Sequence, residues 1–233
     1  MTVVGLGRVG SVFARCARAA GREVDVVGRA GPIVGAPAIV CTRADDLEDV
    51  IARAASPADL VFVQNGLLGP FLAAHGLAGA TQGVIYFAAT ARDGRAEPGG
   101  DSLFTGPRAD EVVAILAAGG VPARAVPRAE FAREAAIKLA WNCVFGLLGD
   151  TFGEPVGASA GRPEVATLCD ELGPVLDVEP RELRTRIVAY ARSIPTFRAS
   201  VKERRWRNGA VATLARARGL ATPLHDRLLT ADS

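Results

Sequence analysis

The feature that most constrains the fold of this chain is a glycine-rich turn close to its first residue. Residues 5–10, Gly-Leu-Gly-Arg-Val-Gly, have the spacing GxGxxG, follow the apolar run at 2–4 and precede a segment with helical periodicity. In such a turn the three glycines allow a tight bend, a close approach of backbone to pyrophosphate, and close packing of helix on strand. This strand–turn–helix context predicts dinucleotide binding. The alternative is a glycine-rich turn that binds nothing.

Strands and helices alternate through the first 128 residues. Strands are predicted at residues 2–4, 24–27, 38–41, 60–63, 83–87, 101–105 and 123–126, and helices at 8–20, 45–54 and 111–118. This alternation is typical of a parallel sheet with helices on its faces, the α/β class with a doubly wound Rossmann sheet. The link at 29–37 is short and rich in glycine and proline, so we expect no crossover helix there.

The pattern becomes mostly helical after Pro127. Helices are predicted at residues 132–148, 164–176, 181–192 and 199–218. We therefore predict two domains, an NADP-binding Rossmann domain at 1–128 and an all-helical substrate and dimerisation domain at 129–233.

Composition excludes several classes of function. The 233 residues carry a net charge of +2, so no overall field attracts nucleic acid or a membrane surface. The four cysteines form no CxxC pair, and His75 and His225 have no nearby ligand-type partner, so no metal site is predicted. No apolar run reaches the length of a membrane span, and no secretory signal precedes the first strand. We expect a cytoplasmic protein.

Two arginines suggest which dinucleotide is bound. NAD-binding turns carry an acidic residue at the end of the second strand. This chain has Gly28-Arg29 there, while Asp25 lies earlier within the strand. A guanidinium suits the 2′-phosphate of NADP, and Arg43, after the third strand, adds a second cation. We predict NADP(H) as cofactor; the alternative is that both arginines are solvated loop residues.

A lysine and an asparagine interrupt a helical stretch that is otherwise almost entirely apolar. Lys138 and Asn142 are four residues apart and therefore share one helix face. A helix that is apolar all round is buried, and burial lowers the pKa of a lysine toward the range of a proton donor at neutral pH. The alternative is a lysine at the helix edge whose amine extends into water.

The order of these motifs resembles that of the ketopantoate reductase (2-dehydropantoate 2-reductase) family. The matching segments are the glycine-rich turn, the arginine after the second strand, Gln64-Asn65-Gly66, Phe87-Ala88-Ala89-Thr90, Lys138-Leu139 with Asn142, Asn208-Gly209-Ala210-Val211, and Thr222-Pro223. An acidic residue usually stands five positions before the late Asn-Gly pair in that family, which here is Glu203. The resemblance implies a C-terminal domain like that of 6-phosphogluconate dehydrogenase.

The resemblance also implies an activity, the NADPH-dependent reduction of ketopantoate or a related 2-oxo acid in pantothenate biosynthesis, by an enzyme that forms a homodimer. Lys138 would donate a proton to the developing alkoxide. Glu203 would bond a substrate hydroxyl and help to orient the ammonium group. Asn65 would hold the lysine or the substrate oxygen.

Further site residues follow from the same resemblance. Asn142 would line the pocket, and Ser200, or failing it Ser193, would hold the substrate carboxylate. The residues expected to bind the cofactor are Gly5, Leu6, Gly7, Arg8, Val9, Gly10, Arg29, Arg43 and Asn65.

The chain departs from the family in three respects. It is shorter, Gly146 replaces a second asparagine one helical turn after Asn142, and the stretch from Ser200 to Glu203 is compressed. Aligning the family's motifs on Ser200 instead of Asn208 would leave the chain without the catalytic acid. Two alternatives to the reductase therefore stay open: an NADP-binding protein that has lost the reaction, and a different two-domain dehydrogenase.

A basic segment surrounds Trp206. Its cations are Arg198, Lys202, Arg204, Arg205 and Arg207. Contact with nucleic acid is one interpretation of such a segment. The favoured interpretation is a solvated helix face on which Glu203 and Arg207 form an i, i+4 pair.

Overall fold

The computed structural model describes residues 1–89 and 91–230. It divides into two compact units. Unit 1 consists of residues 1–64 and 68–131, and unit 2 consists of 65–67 and 132–233. Thr90, part of one tetrapeptide of the family resemblance, lies outside the described residues, as do residues 231–233 of the predicted helical domain.

Unit 1 is built on one seven-stranded sheet and a short hairpin. The strands are β1 (Thr2–Val4), β2 (Asp25–Val27), β3 (Ala38–Val40), β4 (Leu60–Phe62), β5 (Thr81–Val84), β6 (Phe87–Ala88), β7 (Glu97–Pro98), β8 (Ser102–Thr105) and β9 (Ala123–Ala125). The sheet has the order β2-β1-β3-β4-β5-β8-β9, with every pair parallel except β5 with β8. The hairpin pairs β6 with β7.

The helices of unit 1 cover this sheet. They are α1 (Arg8–Ala19), α2 (Leu47–Arg53), α3 (Gly69–Ala74) and α4 (Ala109–Ala118). Phe13 of α1 meets Phe104 of β8 edge to face, with ring centroids 6.5 Å apart, and both side chains are fully buried. The buried face of α1 thus follows from its apolar periodicity.

The link between β2 and β3 contains no helix among the described residues, as the glycine and proline content predicts. Instead, Ile33 pairs with Ala54 at the end of α2 as an isolated bridge. The N–H of Ala55 donates to the carbonyl of Ile33 over 2.9 Å. A short extended segment, tied to the next helix, therefore connects two strands that a crossover helix usually joins.

Unit 2 is helical. Its helices are α5 (Arg128–Phe152), which begins in unit 1, and α6 (Val156–Ser159), α7 (Pro163–Val175), α8 (Pro180–Ser193), α9 (Asn208–Ala217) and α10 (Pro223–Thr230). Its apolar core comes mainly from α5, α7, α8 and α9. The predicted class, a Rossmann sheet followed by an all-helical domain, is confirmed.

Several predicted elements have different limits. The strand predicted at 83–87 ends at Val84, and Phe87 belongs to the separate hairpin. The short helices α3, α6 and α10 were not predicted, because their segments show no strong helical periodicity. Within the described residues, no helix is both long and apolar enough to cross a membrane.

The helix predicted at 199–218 is wrong over its first nine residues. A 3₁₀ turn at Arg204–Trp206 precedes α9, which begins at Asn208. Glu203 has a left-handed backbone, with φ of 48° and ψ of 48°. A residue in that conformation cannot continue a right-handed helix, so the periodic pattern of side chains before it does not produce one.

Candidate active site

Three loops of unit 1 follow the same edge of the sheet. Val4 is in register with Val27 on one side and with Val40 on the other, and all three strands are parallel. The glycine-rich turn, Gly28-Arg29 and residues 41–43 therefore all come directly after carboxyl ends of strands. β1 lies between β2 and β3, so the order in which strands are added to the sheet reverses at β1. Such a switch point is where open α/β sheets bind ligands.

Glycine occupies each of the three positions of the turn for a different structural reason. Gly5 has a φ of 88°, and its N–H donates to Val27 over 2.9 Å. A Cβ on Gly10 would overlap the carbonyl oxygen of Gly5, so the third glycine lets α1 begin against the turn. A Cβ on Gly7 would meet no protein atom within 4 Å. Packing within the protein thus does not require Gly7, whereas a ligand lying on the backbone there would.

The first turn of α1 suits an anion. It contains no acidic side chain, and no side chain caps the helix at Gly7. The N–H and hydroxyl of Ser11 both donate to the Gly7 carbonyl, each over 2.9 Å. The N–H groups of residues 8–10 precede the first hydrogen-bonded turn and point out of the helix end. These groups and the helix dipole fit the pyrophosphate of a dinucleotide.

Arg29 and Arg43 are both exposed, after β2 and after β3 respectively. A further arginine, which sequence reasoning missed, holds the loop that carries Arg29. Arg53 donates from Nη1 to Gly31 over 2.8 Å and from Nε to Asp49 over 2.7 Å. The i, i+4 spacing of Asp49 and Arg53 was the available signal for a helical ion pair.

Gln64, two residues after the end of β4, is tied to β3 at the same edge. The amide nitrogen of Gln64 donates to the Val40 carbonyl over 2.8 Å. Its Oε1 atom is buried and has no hydrogen-bond partner among the described residues. Because a buried polar oxygen without a partner is costly, a donor from a bound ligand would satisfy it.

In unit 2, Lys138 lies in an aromatic environment. Its side chain is buried, and Nζ lies 4.1 Å from the ring centroid of Tyr190 and 4.8 Å from that of Trp141. The Trp141 ring in turn packs against Phe197 at 5.9 Å. Sequence reasoning identified the lysine but not Tyr190, because α8 is brought to α5 only by tertiary packing.

Burial changes the acidity of this amine. Desolvation, with a smaller contribution from the nearby Arg207 cation, lowers the pKa of Lys138 to about 7. The two aromatic faces attract the charged form and oppose part of this effect. An ammonium group in this range gives up its proton readily at neutral pH, as a general acid must.

Asn142 lies one turn after Lys138, as the spacing predicts. Its Nδ2 donates to the Lys138 carbonyl over 2.9 Å, and the residue is half-buried. The amide nitrogen is therefore used within α5, while the side-chain oxygen can accept from a ligand.

Glu203 and Arg207 form an ion pair that is largely buried. Nη2 of Arg207 lies 2.7 Å from Oε2 of Glu203, and the side chains are 11% and 16% exposed respectively. Trp206 is also buried. The interpretation of this stretch as a solvated helix face is thus wrong for these residues, although Lys202, Arg204 and Arg205 are exposed. The left-handed backbone at Glu203 costs roughly 1–2 kcal/mol, and such strain is concentrated at functional sites.

The Asn65-Gly66 turn packs beside this pair in unit 2. Nε of Arg207 donates to the Asn65 carbonyl over 3.3 Å, and the Leu67 N–H donates to Trp206 over 2.9 Å. A Cβ on Gly66 would come within 2.8 Å of the Trp206 carbonyl oxygen, so only glycine allows this approach. The structure therefore brings Asn65 to the pair formed by Glu203 and Arg207, from which it is far apart in sequence.

The compressed segment from Ser200 to Glu203 and the glycine at position 146 are explained by one contact with α5. A Cβ on Gly146 would come within 3.2 Å of the Ser200 carbonyl oxygen, and one on Gly149 would overlap that of Ala199. The N–H of Val201 donates to Asp150 over 2.7 Å. The short segment thus lies directly on α5, where a side chain at position 146 would be in tight contact with it. Ser200 is half-buried at this contact, whereas the exposed Ser193 hydroxyl donates to the Tyr190 carbonyl.

Among the described residues, no group of three or more His, Cys, Asp or Glu side chains is arranged to hold a metal ion. The site chemistry described so far consists of an anion-binding turn in unit 1 and a buried amine with an ion pair in unit 2.

A Rossmann unit with a glycine-rich turn, followed by a helical unit with a buried lysine, defines a two-domain class of fold. Neither a family model nor a curated protein sequence matches the chain. Solved structures match the chain over nearly its whole length, and several of them are ketopantoate reductases. The chain thus has the fold of these enzymes, which confirms the resemblance predicted from sequence at the level of the fold.

Three of these structures illustrate the likeness. A ketopantoate reductase from Ralstonia eutropha JMP134 is 20% identical, with a TM-score of 0.75 over 98% of this chain and 96% of that chain. A ternary complex of D-mandelate dehydrogenase with NADH and anilino(oxo)acetate is 14% identical, with a TM-score of 0.76 over the same shares. A dimeric ketopantoate reductase from Staphylococcus aureus is 13% identical, with a TM-score of 0.74 and again 98% and 96% coverage.

Proposed function

We propose that this protein is an NADPH-dependent oxidoreductase that reduces ketopantoate or a related 2-oxo acid to the 2-hydroxy acid. The observation that carries the proposal is the buried amine of Lys138, whose pKa of about 7 suits proton donation, in a chain that also has a dinucleotide-type turn. The neighbours in fold support it, because they include ketopantoate reductases and a dehydrogenase solved with NADH and an oxo acid analogue.

Residues 1–128 would bind the cofactor. The N–H groups at the start of α1 would hold the pyrophosphate, with Gly7 leaving room for it. Arg29, with Arg43 beside it at the same sheet edge, would hold the 2′-phosphate and so favour NADP(H) over NAD(H). The nicotinamide supplies the hydride; the residues of the chain supply orientation, charge and a proton.

Residues 129–233 would bind the substrate. Lys138 would transfer its proton to the oxygen of the reduced ketone, and the Trp141 and Tyr190 rings would keep the amine oriented and away from water. Glu203 would bond a substrate hydroxyl, and Asn142 would contribute its side-chain oxygen. The same unit would form a homodimer, which light scattering coupled to size-exclusion chromatography would detect.

The direct test is binding followed by turnover. NADPH fluorescence should change on addition of protein, and absorbance at the nicotinamide band should then fall with one member of a panel of 2-oxo acids that includes ketopantoate. Lys138→Ala should reduce kcat by about 10²–10⁴-fold, the usual contribution of a general acid, while NADPH affinity stays within a factor of about two. Unchanged turnover in that variant would remove Lys138 from the mechanism.

One observation favours a second candidate, an NADP-binding protein without this reaction. The carboxylate of Glu203 is already paired with Arg207 over 2.7 Å, which would compete with a substrate hydroxyl. NADPH binding without oxidation by any 2-oxo acid in the panel would support this candidate. Oxidation of NADPH by any of them would exclude it.

A further inference from the structure

Three charged groups of unit 2 together carry more positive than negative charge when all are ionised. Lys138, Glu203 and Arg207, named here the charged cluster, provide two potential cations and one carboxylate. Burial lowers the pKa of the Lys138 amine and raises that of the Cys143 thiol to about 12, and the guanidinium lies close enough to α5 to add to the first effect and to oppose the second. Buried charges need partners of opposite sign, since an uncompensated one is strongly destabilising. Two potential cations beside one carboxylate favour an anionic ligand over a neutral one.

The guanidinium of Arg207 is held along one edge only. Nε donates to the Asn65 carbonyl over 3.3 Å and Nη2 pairs with Glu203 over 2.7 Å. Across residues 1–89 and 91–230, Nη1 makes no hydrogen bond to protein. The second edge, formed by Nη1 and the other hydrogen of Nη2, is thus available to a ligand. Its two parallel donors match the two oxygens of a carboxylate.

The residues packed around Arg207 hold this edge of the guanidinium in a fixed position. The residue precedes α9, its neighbour Trp206 is buried, and the Asn65-Gly66 turn packs against the Trp206 backbone. A side chain that is 11% exposed has little freedom left to lose on binding. Lys202 of the same segment, by contrast, is exposed.

We infer that Arg207 anchors the carboxylate of a small 2-oxo acid through Nη1 and Nη2, and that Glu203 positions the guanidinium for this contact. This role is the one that the family resemblance gives to Ser200. The inference rests on the proposed function for the class of ligand. It does not require turnover, because carboxylate binding can be measured without hydride transfer.

The test compares one ketone in charged and uncharged form. Calorimetry in the presence of NADP⁺, which cannot donate hydride, gives the Kd of 2-oxoisovalerate and of its methyl ester. The wild-type protein should prefer the acid by roughly 30-fold or more, as a bidentate ionic contact implies. Arg207→Gln should remove this preference by weakening binding of the acid, with less than about threefold effect on the ester.

Two further variants complete the design. Arg207→Lys keeps the positive charge but loses the two parallel donors, so it should recover only part of the preference for the acid over the ester. If Arg207→Gln does not fold, the same comparison is made with Arg207→Lys. Lys202→Gln removes one exposed cation from the same segment and should leave both affinities unchanged.

The inference is overturned if the wild-type protein binds acid and ester equally, if it binds neither, or if Arg207→Gln retains the preference. These results are distinguishable from failure of the proposed function. If Arg207→Gln loses acid binding and the wild-type protein never oxidises NADPH, the role of Arg207 in binding the carboxylate is supported and the proposed reductase activity is excluded.

Discussion

At the scale of single residues, the chemistry depends on how much water each charged side chain has lost. Lys138 is almost fully desolvated between Trp141 and Tyr190, and its pKa falls to about 7. Arg29, by contrast, remains exposed, so water and salt screen its charge and its influence depends on a ligand coming close to it. A proton donor and an anchor for phosphate thus require opposite environments.

The acidity of Lys138 predicts a pH profile for reduction. The protonated amine is the active form, so kcat should be constant well below pH 7 and should fall by about tenfold per pH unit above it. The measurement is kcat at saturating NADPH and 2-oxo acid between pH 5.5 and 9.5. Lys202→Gln, which alters an exposed cation, should not move the break. A profile without a break between pH 6 and 8 would contradict the assigned role.

Arg29 predicts the choice of cofactor. Arg29→Ala should weaken NADPH binding by roughly 10–100-fold, since it removes a charged contact to the 2′-phosphate, and should change NADH binding by less than about threefold. Fluorescence titration with each dinucleotide gives both values. Arg18→Ala, an exposed arginine in the last turn of α1, is the matched control. Equal loss of NADPH and NADH affinity would contradict the assignment of Arg29 to the 2′-phosphate.

At the scale of elements, the decisive contacts are those where backbone meets backbone. α1 begins against the Gly5 carbonyl because Gly10 has no side chain, and α5 accepts the segment at 199–201 because Gly146 and Gly149 have none. In both cases a glycine lets an irregular segment lie flat on a helix. Gly146 and Gly149 thus both make room on α5 for the short stretch before Glu203.

The glycine-rich turn gives a pair of opposite predictions. Gly10→Ala should lower Tm and weaken NADPH binding together, because its Cβ would overlap the Gly5 carbonyl oxygen. Gly7→Ala should leave Tm within about 1 °C, because no protein atom lies within 4 Å of its Cβ, and should still weaken NADPH binding by tenfold or more. Thermal unfolding and fluorescence titration of both variants provide the check. Unaltered affinity in Gly7→Ala would place the pyrophosphate elsewhere.

At the scale of the whole molecule, the chain places two kinds of chemical group in two units. Unit 1 presents backbone N–H groups and arginines after parallel strands, whereas unit 2 presents a desolvated amine and an ion pair among helices. A strand end suits a dinucleotide because several N–H groups converge there. A helical core suits a proton donor because it excludes water.

This separation predicts two distinct patterns of hydrogen exchange. NADP⁺ should slow exchange in the first turn of α1 and in the loops after β2 and β3, and a 2-oxo acid should slow it in α5 near Lys138 and in residues 203–208. At a concentration of 100 Kd, a ligand stabilises the state it binds by about 2.7 kcal/mol, so amides that exchange through opening of the site should slow by up to about 100-fold. Protection by NADP⁺ confined to unit 2 would contradict the assignment.

Local sequence patterns were sufficient for much of this protein. The spacing of glycines predicted the turn, the alternation of apolar runs predicted all seven strands of the main sheet, and the i, i+4 spacing placed Lys138 and Asn142 on one helix face. These features depend on interactions within a few residues, which a linear pattern records. Helix ends and short helices were less predictable because their signals are weak.

Only the tertiary structure decided the rest. In place of the first part of the helix predicted at 199–218, the structure has a left-handed residue at Glu203 and a non-helical segment that lies on α5. Contacts of this segment with Gly146 and Gly149 override its local helical propensity. Tyr190, Arg207 and Asn65 reached the charged groups from distant parts of the chain. Burial of Lys138, and with it a pKa near neutrality, exists only once those segments have packed, since desolvation is a property of the assembled core and of no single stretch of sequence.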